Sequence, residues 1–187
     1  VAVVAPLGLA HPAAVRFVAS DRAAIESLVT ELESPDEPSV IYAIEMLETL
    51  GYGHLVPPAL LRHGSAEVRA LALGALESTP PDEAVSFRPD VQRLLNDPDP
   101  DVRAAAVRAS VSLRTPEGAA VIRRFLNDAA SRVSVTAAVE LADSADRADV
   151  RAAEAALSAL VADASATGAS GRRDAAAALA RIRNPAF

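Results

Sequence analysis

"NDPDPDVRAAAVRA", residues 96–109, sets carboxylates at alternate positions, Asp97, Asp99 and Asp101, and then runs straight into alanines. Alternating acids open a calcium loop, but they also open a helix. An EF-hand loop needs glycine at its sixth position to turn the chain and a bidentate glutamate at its twelfth to complete the oxygen shell. Counted from Asp97, those positions hold Val102 and Arg108. The helix reading accounts for every residue. Pro98 and Pro100 bar continuation of a preceding helix and preset the turn, while Asp99 or Asp101 caps the free amides of the new helix with a charge suited to its positive end. No metal and no cofactor is expected from this stretch.

The same pattern of polar turn, capping residue and valine recurs on both sides of it. "SPDEPSVIYAIEMLETLG" from Ser34, "HGSAEVRALALGALES" from His63 and "NDAASRVSVTAAVELA" from Asn127 align with it on Val40, Val68, Val102 and Val133. Small or apolar residues follow each valine at helical spacing: Ala43, Ile44 and Leu47, then Leu71, Ala72, Ala75 and Leu76, then Ala105, Ala106 and Ala109. That is one buried stripe on a helix. Before each turn lies a second amphipathic segment, "DRAAIESLVTELES", "HLVPPALLRHG", "RPDVQRLLND" and "EGAAVIRRFLND", so each repeat is expected to hold two helices. A fifth, degenerate unit pairs "RADVRAAEAALSALVADA" with "GRRDAAAALARIR" across a flexible "SATGASG" linker. Repeats of this length are what helix-hairpin solenoids show.

No segment alternates with period two, and alanine, leucine, glutamate and arginine dominate, so the fold class is all-α. The expected architecture is a right-handed α-solenoid of four to five helix-hairpin repeats. Its units fall at about 21–51, 52–79, 84–114, 116–144 and 147–185, preceded by an N-terminal helix or cap over 1–20. The only methionine is Met46, so the chain opens on Val1 as a domain cut from something longer or as one whose initiator was removed. The apolar opening is interrupted by Pro6, His11, Pro12 and Arg16, short of a membrane span.

The units resemble HEAT repeats of the form common in bacterial proteins. The turn and helix Asp97-Pro98-Asp99-Pro100-Asp101-Val102-Arg103-Ala104-Ala105-Ala106 carry the likeness, with the looser Ser65-Ala66-Glu67-Val68-Arg69-Ala70-Leu71-Ala72 behind it. The resemblance extends over roughly residues 20–185. It implies stacked helix pairs that hold another protein or another domain, and an arginine–aspartate ladder between neighbouring repeats. Ile41 and Ser134 stand where the first and fourth units should carry that arginine, so the ladder is in question at both places. A weaker likeness of residues 34–51 and 64–77 points to HEAT segments of bacterial nucleotide-transporter-like membrane proteins, which implies a cytoplasmic regulatory segment of a larger transporter as an alternative. A repeat-based enzyme such as a bilin lyase is the alternative from another class.

Several chemistries lack their residues. There is no cysteine, which removes thiolate metal sites and cysteine nucleophiles, and no lysine, which removes the phosphate-binding loop. A formal charge of −7 disfavours nucleic acid as a partner, and with no tryptophan the chain does not match the HEAT-like DNA glycosylases. His11, His54 and His63 lack metal-ligand spacing, and Gly168-Ala169-Ser170-Gly171 lacks the second spacer of a nucleophile elbow. No catalytic residue is expected.

What remains is a binding surface. On the second helices, the side opposite the stripe carries Tyr42, Glu45 and Glu48, then Leu73, then Val107 with Arg108. These six are the candidate partner-binding residues, a groove acidic at one end and apolar at the other. The C-terminal Arg172, Arg173, Arg181 and Arg183 form a secondary candidate for an anionic partner. The function expected is a cytoplasmic interaction or linker scaffold whose partner is a protein or another domain of the same polypeptide, with no insertion of this segment into a membrane.

Overall fold

Repeating Ala-rich stripes bounded by Pro and Gly make short helices that cannot bury themselves alone, and the computed structural model stacks them in pairs. It describes residues 12–80, 83, 85–113, 118–163, 168–180 and 182, with side chains from residue 22 onward. The α-helices are α1 (Pro12–Glu31), α2 (Glu37–Thr49), α3 (Ala66–Ala75), α4 (Arg88–Leu94), α5 (Pro100–Ser112), α6 (Gly118–Arg123), α7 (Ser131–Ala142), α8 (Arg147–Ala162) and α9 (Ala169–Leu179). No strand occurs among the described residues, and the all-α solenoid expected from the periodicity is the fold. The second helices α2, α3, α5, α7 and α9 pack in that order as one layer, with the first arms of the units alongside them.

Two local differences from the sequence expectation have simple causes. The first arm of unit 2 is not a helix but two 3₁₀ turns, Gly53–Leu55 and Pro58–Arg62. Pro57 and Pro58 remove two amide donors and force residue 56 toward extended backbone, so an α-helix cannot run through them. At the other end, α9 begins at Ala169, so part of the expected linker is helix. Gly171 is buried there because a Cβ would meet Ser131 Cβ at 3.1 Å and Leu160 Cδ2 at 3.3 Å, so glycine lets α9 close onto α7 and α8. At the N-terminus α1 runs without a break through residue 20, where a boundary was expected.

The capping residues take the roles the turn implied. Asp99 caps α5, its Oδ1 accepting the amides of Asp101 at 2.8 Å and Val102 at 3.2 Å, with Pro100 in the first turn. Asp36, Ser65 and Asp146 cap α2, α3 and α8 in the same way. At the other end of α2, Gly51 adopts φ +80°. Tyr52 N–H bonds Leu47 O at 2.7 Å and Gly51 N–H bonds Glu48 O at 3.0 Å, the Schellman arrangement that asks for glycine at this position. The repeat valines Val40, Val68, Val102 and Val133 are all fully or almost fully buried, and with Ile44, Leu47, Leu61, Leu94, Leu141 and Leu157 they belong to one continuous core.

A ladder of arginines ties unit to unit. Arg69 of α3 donates Nε and Nη2 to both oxygens of Asp97 in unit 3, at 3.0 and 2.9 Å. Its Nη1 also bonds the carbonyls of His63 and Gly64, closing the turn of its own unit. Arg103 repeats the arrangement one unit on, with Asp128 at 3.1 and 2.8 Å and with the carbonyls of Asp97 and Pro98. Each aspartate also accepts the amide two residues later, Asp99 N–H or Ala130 N–H. Burial would raise the carboxyl of Asp97, but the hydrogen bonds from Arg69 and from the Asp99 amide outweigh it and hold the group below its ordinary range. Asp128 is lowered in the same way, Arg103 and the Ala130 amide overcoming burial.

The departures noted in the sequence fall where the ladder changes. At Ser134 the hydroxyl takes over the turn, bonding Asp128 O at 3.1 Å. The rung to unit 5 comes instead from Arg123 at the end of α6, which pairs with buried Asp149 and with Asp146. Arg123's hydrogen bond holds the Asp149 carboxyl low against burial, helped by Ser144. At Ile41 no arginine takes its place among the described residues, and the register equivalent of Asp97 in unit 2 is His63, whose Nδ1 accepts the turn bond from Ser65 N–H at 3.1 Å.

Candidate partner-binding face

Counted from the repeat valine, Tyr42 stands two residues on and Glu45 five. The same two positions hold Ala70 and Leu73 in unit 2, Ala104 and Val107 in unit 3, and Val135 and Ala138 in unit 4. Apart from half-buried Ala70, these equivalents are buried, because neighbouring second helices close over small or aliphatic side chains. Leu73 and Val107 are 1% and 0% exposed, so they are core residues and not part of any groove, contrary to the sequence expectation. Their spacing opposite the stripe suggested a free face, but in units 2 and 3 these positions are consumed by packing against the second helices of neighbouring units. Unit 1 differs. Tyr42 is 59% exposed and Glu45 is exposed beside it.

Glu48, the third member of the set, is half-buried with its carboxylate over Gly74 of α3, where a Cβ would lie 3.1 Å from Oε1. Burial raises its carboxyl, and the charges of Glu77 and Glu45 raise it further. Glu140 on α7 is also raised, by burial first; Arg108 opposes this, while Glu77 and Asp143 add to it. An acidic line therefore runs from Glu45 and Glu48 through Glu77 to Glu140 along the second-helix layer. These carboxylates sit toward the C-terminal ends of their helices, where the helix dipole disfavours negative charge.

Arg108 is exposed and lies at the shared edge of two clefts in the same layer. One, of about 540 Å³, is floored by Ala66, Ala70, Leu71 and Ala104 between α3 and α5. The other, of about 280 Å³, is floored by Val135, Val139 and Ala178 between α5, α7 and α9. Arg132 forms the rest of the wall between them and is tied to Asp101 at 2.7 Å. These clefts and the acids Glu77 and Glu140 were missed in the sequence, because no repeat position marks them; the clue available was the small side chains Ala66, Ala70 and Ala104, which leave room between helices.

The remaining candidates are placed as follows. Asp97, Asp99 and Asp101 are engaged by Arg69, by the amides of α5 and by Arg132 respectively. His54 lies exposed in a 3₁₀ turn, its ring tilted against Tyr52 at 6.1 Å. Arg173 is exposed and Arg172 half-buried on α9, while Arg181, Arg183 and His11 lie outside the described residues. Among the described residues no helix is long and apolar enough to cross a membrane.

A family model described as HEAT repeats matches residues 56–142, the span from the turns of unit 2 to the end of α7. No curated protein matches the sequence. The crystal structure of an engineered protein, a structural genomics target, is similar at 22% identity and a TM-score of 0.47, over 84% of this chain and 78% of that one.

Proposed function

We propose that this chain, whose residues 56–142 match HEAT repeats, is a non-enzymatic interaction scaffold whose partner lies on the second-helix layer, anchored at Tyr42, Glu45 and Glu48 and reaching toward Arg108. One observation carries this reading. At two positions where units 2 to 4 place small or aliphatic side chains in the packing, unit 1 presents a tyrosine and a glutamate to solvent. An exposed ring among carboxylates suits an arginine-bearing segment, because the ring takes a cation over its face while the acids pair with it. That segment belongs to another protein or to another domain of the same polypeptide.

The test is co-purification with the full-length protein, comparing wild type with a Tyr42→Ala, Glu45→Arg, Glu48→Arg variant that keeps its helical circular dichroism. A partner recovered by wild type and lost by the variant supports the face, as does rescue of binding when the partner's basic residues are reversed to acids. Equal recovery of every partner refutes it.

A further inference from the structure

From unit 2 onward, each junction between units is pinned by charged side chains held on both sides. Units 2 and 3 share the Arg69–Asp97 rung, a bidentate Arg62–Asp90 pair at 3.0 and 3.3 Å, and a bond from Arg93 to Leu61 O. Units 3 and 4 share Arg103–Asp128 and Arg132–Asp101. Units 4 and 5 share the two pairs of Arg123, with Ser131 and Asp174 bonded at 3.2 Å. The junction between units 1 and 2 has no salt bridge among the described residues. Among the described residues its one side-chain hydrogen bond is Ser65 Oγ to Glu37 at 2.6 Å, beside the backbone bond of Tyr52 N–H to Leu47 O in the connecting turn, and Glu48 and Glu77 repel each other across it.

The backbone at this junction differs as well. Unit 2 offers α1 and α2 two 3₁₀ turns around Pro57 and Pro58 in place of a first helix. The connection leaves α2 through Gly51 at φ +80°, a conformation glycine adopts without strain. Apart from that one side-chain hydrogen bond and the backbone bond of the turn, apolar contact bridges it among the described residues, Leu47 and Leu61 belonging to the same core. Apolar contacts are non-directional, so they tolerate a change of angle that a bidentate pair does not.

We propose that this junction is a hinge, with units 2 to 5 moving as one body and α1 and α2 opening from it as an independent arm. The arm carries Tyr42 and Glu45, while Arg108 stays with the body, but the inference stands on the missing rung and not on the partner-binding reading. It makes an asymmetric prediction, since both ends of any solenoid fray yet only one here lacks its pin.

Hydrogen exchange of the full chain, followed by mass spectrometry, tests it. Amides of α2 are expected to exchange about tenfold or more faster than those of α5 and α7, and faster than those of α8 at the opposite, pinned end. An Ile41→Arg, His63→Asp double variant rebuilds the rung at the positions where Arg69 and Asp97 form theirs. It should slow exchange in α2 by about tenfold with α5 unchanged, while neither single variant does so. Should the double variant lose its circular dichroism, the wild-type comparison decides alone. Protection in α2 equal to that in α7, or a folded double variant no better protected than its singles, overturns the hinge.

Discussion

Replacing Asp97 by alanine removes one rung and leaves the rest of the stack in place, so its cost measures what a rung is worth. The carboxylate is 6% exposed and Arg69 is 13% exposed, and they meet through two bonds of 3.0 and 2.9 Å. Loss of the carboxylate strips Arg69 of both bonds and leaves the Asp99 amide without its acceptor. Breaking a buried pair costs about 3–5 kcal/mol. Arg69 retains the carbonyls of His63 and Gly64 and some contact with water, which places this case at the low end, about 3 kcal/mol. The exposed pair Arg132–Asp101, at 64% and 56%, is the internal control: Asp101→Ala should cost less than about 1 kcal/mol. Urea unfolding followed by circular dichroism, with slopes compared between variants, gives both numbers, and an Arg69→Ala, Asp97→Ala cycle should show a coupling of about 2 kcal/mol. If Asp97→Ala falls within about 1 kcal/mol of Asp101→Ala, the rung does not hold the units together and the ladder argument fails.

Val102→Asp buries an unpaired charge at a position with no exposure, and thermal unfolding should show a loss above about 4 kcal/mol; a loss typical of surface sites would remove Val102 from the core. The carboxylates divide by sign in their pH dependence. Asp97, Asp128 and Asp149 are lowered in the folded state, so their stabilisation is present above the unfolded carboxyl range, about pH 4, and is lost as pH falls through their folded values. Glu48 and Glu140 are raised, so the folded state binds more protons and stability falls as pH rises from about 4.3 through their folded values. Glu48→Gln and Glu140→Gln should therefore raise stability at pH 7 and leave it little changed near pH 4, and a titration of denaturation midpoints showing loss at pH 7 would contradict the assignment.

The repeat was legible because two signals coincide in units 1 to 3, a turn with a side-chain cap and a valine that starts a helical stripe, while unit 4 keeps the valine but starts α7 after Ala130 without a side-chain cap. Both survive in units that share little else, and Asp99 and Val102 stand in the structure as the turn from 96 to 109 implies. Leu73 and Val107 were misjudged because periodicity reports which side of a helix faces its own partner, not whether a neighbouring repeat covers the other side. Tyr42 and Glu45 share those register positions and stay exposed, which no count along one chain distinguishes. The acidic line through Glu77 and Glu140 is assembled across units by the stack, so it has no linear signature.

The ladder also describes how such a chain can grow. Unit 3 carries both halves of a rung, the acceptor Asp97 and the donor Arg103, whereas unit 2 carries only the donor Arg69 and unit 4 only the acceptor Asp128. His63 and Ser134 stand at the two limits of this arginine rung, each with a neutral bond inside its own turn. A copy of unit 3 spliced after itself would find an arginine waiting on one side and an aspartate on the other, but its Asp101 would stand where Arg132 now pairs with the first Asp101. The rung can thus be extended at unit 3, because among the described residues only that unit carries both the acceptor and the donor of this pairing.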